Sequence, residues 1–253
     1  MRLQKEILFI GERLMKIQNL SSQSKIQQWI NKSVAECKAS YPLIQKKLPV
    51  AVDIGANVGG FCIHAREHFD KIYAFEPYVP NYNILLQVKE QLNMDNIEIF
   101  NTAVTGKSNE KLLLKANQSE HSGDISCADF KNDNFTNLNE TCETISLADL
   151  MDVLEIERIN YLKLDCEGSE YEILENFRDH HKISIIVMEL HEYWGPSRKK
   201  DLLQSLNEFY YIVPSLRPQA LELANVKKHA LSDFKQLKGE NNFFCLNRRA
   251  LRT

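Results

Sequence analysis

Val50-Ala51-Val52-Asp53-Ile54-Gly55-Ala56-Asn57-Val58-Gly59-Gly60-Phe61 decides the fold of this chain. A short apolar run, wide enough for one buried strand, breaks at a glycine turn and resumes in Phe61 to His68 with the spacing of a helix. The chain has 253 residues and only 9 glycines, yet Gly55, Gly59 and Gly60 fall in this one turn. A chain sparing with glycine uses it where the backbone needs an unusual conformation or must come close to something.

Reading onward, strands and helices alternate. Ile72 to Phe75 is a second strand, closed by Glu76-Pro77, and Asn81 to Leu92 a second helix. Ile97 to Phe100 is a third strand. Lys111 to Ala116 and Cys142 to Ile145 read as shorter strands around a polar insertion, 117–140. Ser146 to Leu154 is a helix, Tyr161 to Leu164 a strand, Tyr171 to Phe177 a helix and Ile183 to Leu190 the most apolar strand. A helix over Asp201 to Glu208 and strands over Tyr210 to Val213 and Asn242 to Leu246 complete the series. The pattern predicts an α/β fold, with a largely parallel sheet covered by helices on both faces. Reading backward, Leu3 to Ile17 and Ser24 to Ala39 have helical spacing, so residues 1–49 form an N-terminal helical cap or lid, and 50–253 the main domain.

Hydrophobic residues are 43% and charged residues 26%, ordinary for a globular protein. The net charge of -3 leaves no broad basic footprint for nucleic acid, and Arg198 to Lys200 and Arg248 to Arg252 read as solvated faces. No run is long and apolar enough for a transmembrane segment, and the start lacks a signal-peptide core, so the expected location is cytoplasmic. The six cysteines form no CxxC pair, which argues against a zinc ribbon or a thioredoxin-type site.

In open α/β sheets, ligands sit beyond the carboxyl ends of the strands. The glycine turn holds that place after the first strand, and Glu76 after the second, where a carboxylate can accept both hydroxyls of an adenosine ribose. The turn lacks the G-x-G-x-x-G spacing of a dinucleotide site and is preceded by Asp53, whose charge would repel a pyrophosphate. A cofactor carrying an ammonium and a sulfonium but no phosphate suits it better: S-adenosylmethionine.

The runs VDIGANVGGFCIHA, YAFEP, NTAV and INYLKLDCEGSEYEILENF resemble the FkbM family of S-adenosylmethionine-dependent methyltransferases over about residues 50–190. The resemblance implies a Rossmann-like class I methyltransferase sheet. It implies that Asp53, Gly55, Asn57 and Gly59 hold the methionine end of the cofactor and Glu76 the ribose. Thr102 and Ala103 would flank the adenine, with Ser122 and Asp124 from the insertion, and Asp165 and Glu167 would line the pocket for cofactor and acceptor.

Two polar pairs follow adjacent strands: Asp165 with Glu167, and Glu189 with His191. Methyl transfer to a hydroxyl needs alignment of the acceptor and a group to take its proton, which a carboxylate or imidazole can supply. The same groups could instead hold a divalent metal that acidifies the hydroxyl. Ser169-x-x-Glu172 also fits a capping box, in which Asp165 and Glu167 merely favour a helix N-terminus. His64 and His68, four apart, read as surface or packing residues, and Tyr193, Trp194 and Pro196 either as an apolar wall for the acceptor or as a loop closed over core. The expected activity is O-methylation of a sugar, glycan or secondary metabolite, and a homo-oligomer is one expected assembly. An NAD-dependent dehydrogenase and a noncatalytic cofactor-binding module are the rival readings.

Overall fold

The computed structural model describes residues 20–117, 125–128, 134–214, 223–232, 234 and 241–250. The helix expected over Leu3 to Ile17, together with Ser122 and Asp124, lies outside the described residues.

The first described element is α1 (Leu20–Ser40). It is followed by β1 (Leu48–Ile54), α2 (Gly60–Ala65), β2 (Phe69–Phe75), α3 (Val79–Gln91) and β3 (Ile97–Phe100). Four strands come next: β4 (Ala103–Thr105), β5 (Lys111–Asn117), β6 (Ile125–Ser126) and β7 (Phe135–Ser146). Then come α4 (Leu147–Val153), β8 (Ile159–Leu164), α5 (Glu170–Asn176) and β9 (Ile183–Glu189). The chain closes with α6 (Pro196–Leu206), β10 (Tyr210–Pro214), α7 (Leu223–His229) and β11 (Asn242–Asn247).

Seven strands form the main sheet in the order β10-β11-β9-β8-β1-β2-β3. The five from β9 to β3 are parallel, and β11 runs antiparallel between β9 and β10. The order reverses after β1, whose neighbours are β2 and β8, and this is where a doubly wound sheet opens a crevice. The expected α/β architecture is therefore present. The registers Ile54↔Phe75, Ile54↔Leu164 and Leu164↔Met188 bring the carboxyl ends of β1, β2, β8 and β9 level along one edge. The central parallel strands β1, β8 and β9 are buried on both faces, which is why β9 reads as Ile183-Ser184-Ile185-Ile186-Val187-Met188 rather than as an alternation. Complete burial of side chains such as Ile72 and Ile186 contributes about 1.5–3 kcal/mol each.

Three details differ from the sequence reading. The insertion is not irregular throughout: β7 begins at Phe135 and joins β4, β5 and β6 in a second sheet, order β4-β7-β5-β6. Its first half, Thr136 to Glu140, is mostly exposed and so carries no apolar alternation to read. The capping box at α5 does not form, because Ser169 makes no side-chain cap bond. Its neighbour Glu170 reaches back instead and accepts from the N–H groups of Cys166 (2.8 Å) and Gly168 (3.0 Å). Lys199 is not on a solvated face: it is buried, 2.7 Å from Glu192 Oε1 and 2.9 Å from Asn241 Oδ1.

α1 packs on the main sheet's own core. Ile30, Val34, Cys37 and Tyr41 join the cluster that contains Ala51, Phe61 and Tyr161. The approach is close enough that a Cβ on Gly60, at the start of α2, would overlap Ser33.

Candidate active site

A cleft of about 880 Å³ opens at the carboxyl ends of the central strands. Of the residues singled out from sequence, Gly55, Asn57, Glu76, Ala103, Asp165, Glu167, Glu189 and His191 line it. Asp53, Gly59 and Thr102 are not among the lining residues.

Asp53 is the main revision. It is wholly buried, and its Oδ1 lies 3.0 Å from Lys163 Nζ. The two are register partners on β1 and β8, so opposite charges sit side by side inside the sheet. Lys163 also donates to the Gly55 carbonyl at 2.6 Å and lies 3.8 Å from Asp165 Oδ2. Burial pulls the lysine down, but Asp53 and Asp165 beside it more than offset this and raise it overall, so it stays charged. Asp53 thus balances an internal cation instead of facing a ligand. Two signals in the sequence pointed this way: a lysine inside the apolar run Tyr161 to Leu164, and an acid inside Val50 to Ile54.

The glycine turn touches the turn after β8. Gly55 has φ +78°, and a Cβ there would overlap the carbonyl oxygen of Asp165. Asn57 also holds a left-handed conformation, φ +50°. Glu76 clamps this turn: its Oε2 accepts the Asn57 N–H at 2.8 Å, and its Oε1 the Tyr78 N–H at 3.0 Å. Each oxygen keeps a lone pair for a ligand. Burial lifts its carboxyl to about 7, against the pull of those two N–H groups.

Across the cleft, the turn Asp165-Cys166-Glu167-Gly168 has Glu167 at φ +54° and Gly168 at φ +107°. His191 lies between two carboxylates, with Nδ1 3.1 Å from Glu170 Oε1 and Nε2 3.3 Å from Glu167 Oε2. Its ring stacks on Tyr193, centroids 5.4 Å apart, and the Tyr193 hydroxyl donates to Glu167 Oε2 at 2.8 Å. Burial pulls the imidazole down, but Glu170 and Glu167 raise it well above its ordinary value. Glu189 is pushed to about 7, by burial first and by Asp165 second. Ligand atoms of Asp165, Glu167 and His191 all lie within 4.8 Å of one another, a set able to take a divalent cation.

The far wall is α1, whose residues Lys25, Gln28, Trp29, Lys32, Ser33 and Glu36 face the cleft at helical spacing. Tyr41, just past α1, donates its hydroxyl to Asp165 Oδ2 at 2.7 Å. Nothing in the sequence marked Tyr41 or Glu170 as part of this site. Of the residues expected to form an apolar wall, Tyr193 does line the cleft. Trp194 turns away, donating Nε1–H to the Gly168 carbonyl at 2.7 Å, and Pro196 opens α6. His64 is part-buried at the end of α2, where burial lowers it to about 4.

A family model described as the methyltransferase FkbM domain matches residues 53–213. Solved structures similar to this chain include precorrin-6y C5,15-methyltransferase from Geobacter metallireducens, at 11% identity and TM-score 0.41 over 74% of this chain and 73% of that one. Another is TrmK of M. capricolum in complex with S-adenosylhomocysteine, at 13% identity and TM-score 0.40 over 86% and 66% of the two chains. An rRNA methylase from Streptococcus thermophilus aligns at 10% identity and TM-score 0.42 over 88% and 94%. No curated protein matches the chain.

Proposed function

We infer that this chain, which belongs to the FkbM methyltransferase family, moves the methyl group of S-adenosylmethionine to a hydroxyl oxygen of a small-molecule or glycan acceptor. The observation that carries this reading is the division of the cleft. A clamped carboxylate, Glu76, stands beside a glycine turn at one end, and acids gather around Asp165 at the other.

In this reading the ribose hydroxyls bond to Glu76. Phe75, Ala103 and Val104 pack on the adenine, since they give that part of the lining its apolar surface. The methionine end follows the Gly55 turn toward Asp165, which takes the ammonium in place of the enclosed Asp53. The acceptor oxygen attacks the methyl carbon in line with the departing sulfur. The C–S bond breaks as the O–C bond forms, and the cofactor leaves as neutral thioether. The hydroxyl proton passes to a carboxylate, and Glu189 is best suited because its raised value places it near neutrality. His191, raised above its ordinary value by Glu170 and Glu167, serves to hold Glu167 in place. Trp29, flanked by Gln28, Lys32 and Glu36 on α1, offers a sugar ring an aromatic face with hydrogen-bonding neighbours.

Titration calorimetry with S-adenosylmethionine and S-adenosylhomocysteine is the direct test, and absence of heat with both would overturn the cofactor assignment. Transfer of labelled methyl into a fractionated glycan and metabolite extract then tests the acceptor class. Label appearing on nitrogen or carbon would overturn O-methylation.

A second reading has Asp165, Glu167 and His191 holding a divalent cation, favoured by the closeness of their ligand atoms. The ion would lower the pKa of the acceptor hydroxyl. Glu170 on Nδ1 would then fix the tautomer that turns Nε2 toward the ion. Transfer that survives exhaustive chelation excludes this reading and leaves the first.

A further inference from the structure

The N-terminal helix ends in a contact that the methyltransferase core does not supply for itself. Tyr41 follows α1, is 3% exposed, and buries its hydroxyl against Asp165 Oδ2 at 2.7 Å. Its ring meets Phe61 of α2 edge-on at 6.3 Å, and Lys163 Nζ lies 5.5 Å from the ring centroid. The next residue is also tied down, since the Pro42 carbonyl accepts from the buried Tyr161 hydroxyl at 2.9 Å. Asp165 itself is less enclosed than Tyr41 and Lys163: its side chain keeps 29% exposure where it lines the cleft.

We propose that Tyr41 is a positioning residue for cofactor binding, fixing Asp165 so that one carboxylate oxygen meets the ammonium of the cofactor's methionine end. The proposal rests on the methyltransferase reading above. Oδ2 is engaged by the Tyr41 hydroxyl and faces Lys163, which leaves Oδ1 for the cleft. A carboxylate that accepts one buried hydroxyl and lies 3.8 Å from a buried cation on the same oxygen has its rotamer fixed before the ligand arrives, so less ordering is left to be done on binding. The ammonium is the natural occupant. The Asp165 backbone packs directly against the Gly55 turn, Asp165 and Gly55 both line the cleft, and Asp53 is taken up by Lys163. Residues ahead of the 53–213 stretch thereby become part of the cofactor site.

The test compares two ligands that share an adenosine. S-Adenosylhomocysteine keeps the amino-acid end; methylthioadenosine lacks it. Tyr41→Phe removes only the hydroxyl and keeps the ring. It should weaken S-adenosylhomocysteine binding by at least about tenfold, as loss of a hydrogen bond to a charged group does, and leave methylthioadenosine unchanged. Asp165→Asn should show the same selective loss, and the double variant should lose little more than Asp165→Asn alone. Wild-type affinity in Tyr41→Phe, or equal loss for both ligands, overturns the proposal. If Tyr41→Phe melts early, Asp165→Asn decides alone, and full S-adenosylhomocysteine affinity there is equally fatal. A wild-type chain that binds neither ligand refutes the methyltransferase reading instead, a separate outcome.

Discussion

Glu76 sits 4% exposed with a carboxyl lifted to about 7, so its charge near neutrality depends on pH. The ionised form accepts ribose hydroxyls best. Affinity for S-adenosylhomocysteine should therefore fall as pH drops through about 7 and level off above it. Glu76→Gln should lower affinity about tenfold at high pH and flatten the profile, because a charged acceptor makes the stronger bond. Calorimetry at a series of pH values checks both; a profile that stays sloped in the variant refutes the assignment. Gly55 is the second sensitive residue. Alanine there would meet φ +78° and the Asp165 carbonyl at once, and Gly55→Ala should cost at least about 2–3 kcal/mol in urea unfolding and abolish cofactor binding. Glu76 was readable because its distance from the glycine turn is set by one βα unit. For Asp53 the sequence shows which acid precedes the turn, not which lysine lies opposite it across the sheet.

At the scale of elements, α1 has two faces with different duties. Ile30, fully buried, fastens the helix to the core, and Ile30→Ala should destabilise the chain by about 2–5 kcal/mol in urea titration. Trp29 is only half-buried and faces the cleft. Trp29→Ala should leave the unfolding midpoint nearly unchanged while raising the acceptor KM more than that of the cofactor. Equal effects on both would remove Trp29 from the acceptor wall. The helix was legible as a helix, because Ile26, Ile30, Val34 and Cys37 repeat at its period. Its place over the cleft was not, because spacing says which side is apolar but not what that side meets. For β7 the failure was of another kind: Thr136, Asn137, Asn139 and Glu140 are exposed, and an exposed strand leaves no apolar period to detect.

For the whole molecule, the alternation of strand and helix was enough to fix a parallel sheet and the edge where the cleft opens. The antiparallel β11 was readable as a strand, but its insertion between β9 and β10 depends on a long return that no local pattern reveals. Charge on the interior sets the response to acid. His64 and His180 are each lowered to about 4 by burial, from an ordinary 6.5. The unfolded chain binds protons at these sites first, so their contribution to stability is present above 6.5 and is lost as pH falls toward 4. Glu76 and Glu189 act in the opposite sense between 4.5 and about 7, since their folded forms hold the proton longer. The informative quantity is hence a difference: His64→Gln with His180→Gln should lose less melting temperature than wild type between pH 6.5 and 4. Parallel curves would show that both rings are hydrated in solution.

The chain has two tryptophans, and the fold has given them unlike surroundings. Trp194 is pinned, its indole N–H on the Gly168 carbonyl and the Arg198 guanidinium 4.3 Å from its ring. Trp29 stands in the wall of the cleft. The protein thus carries an intrinsic optical gauge of its own occupancy: one indole whose emission shifts as a ligand displaces water beside it, and one that supplies a steady background.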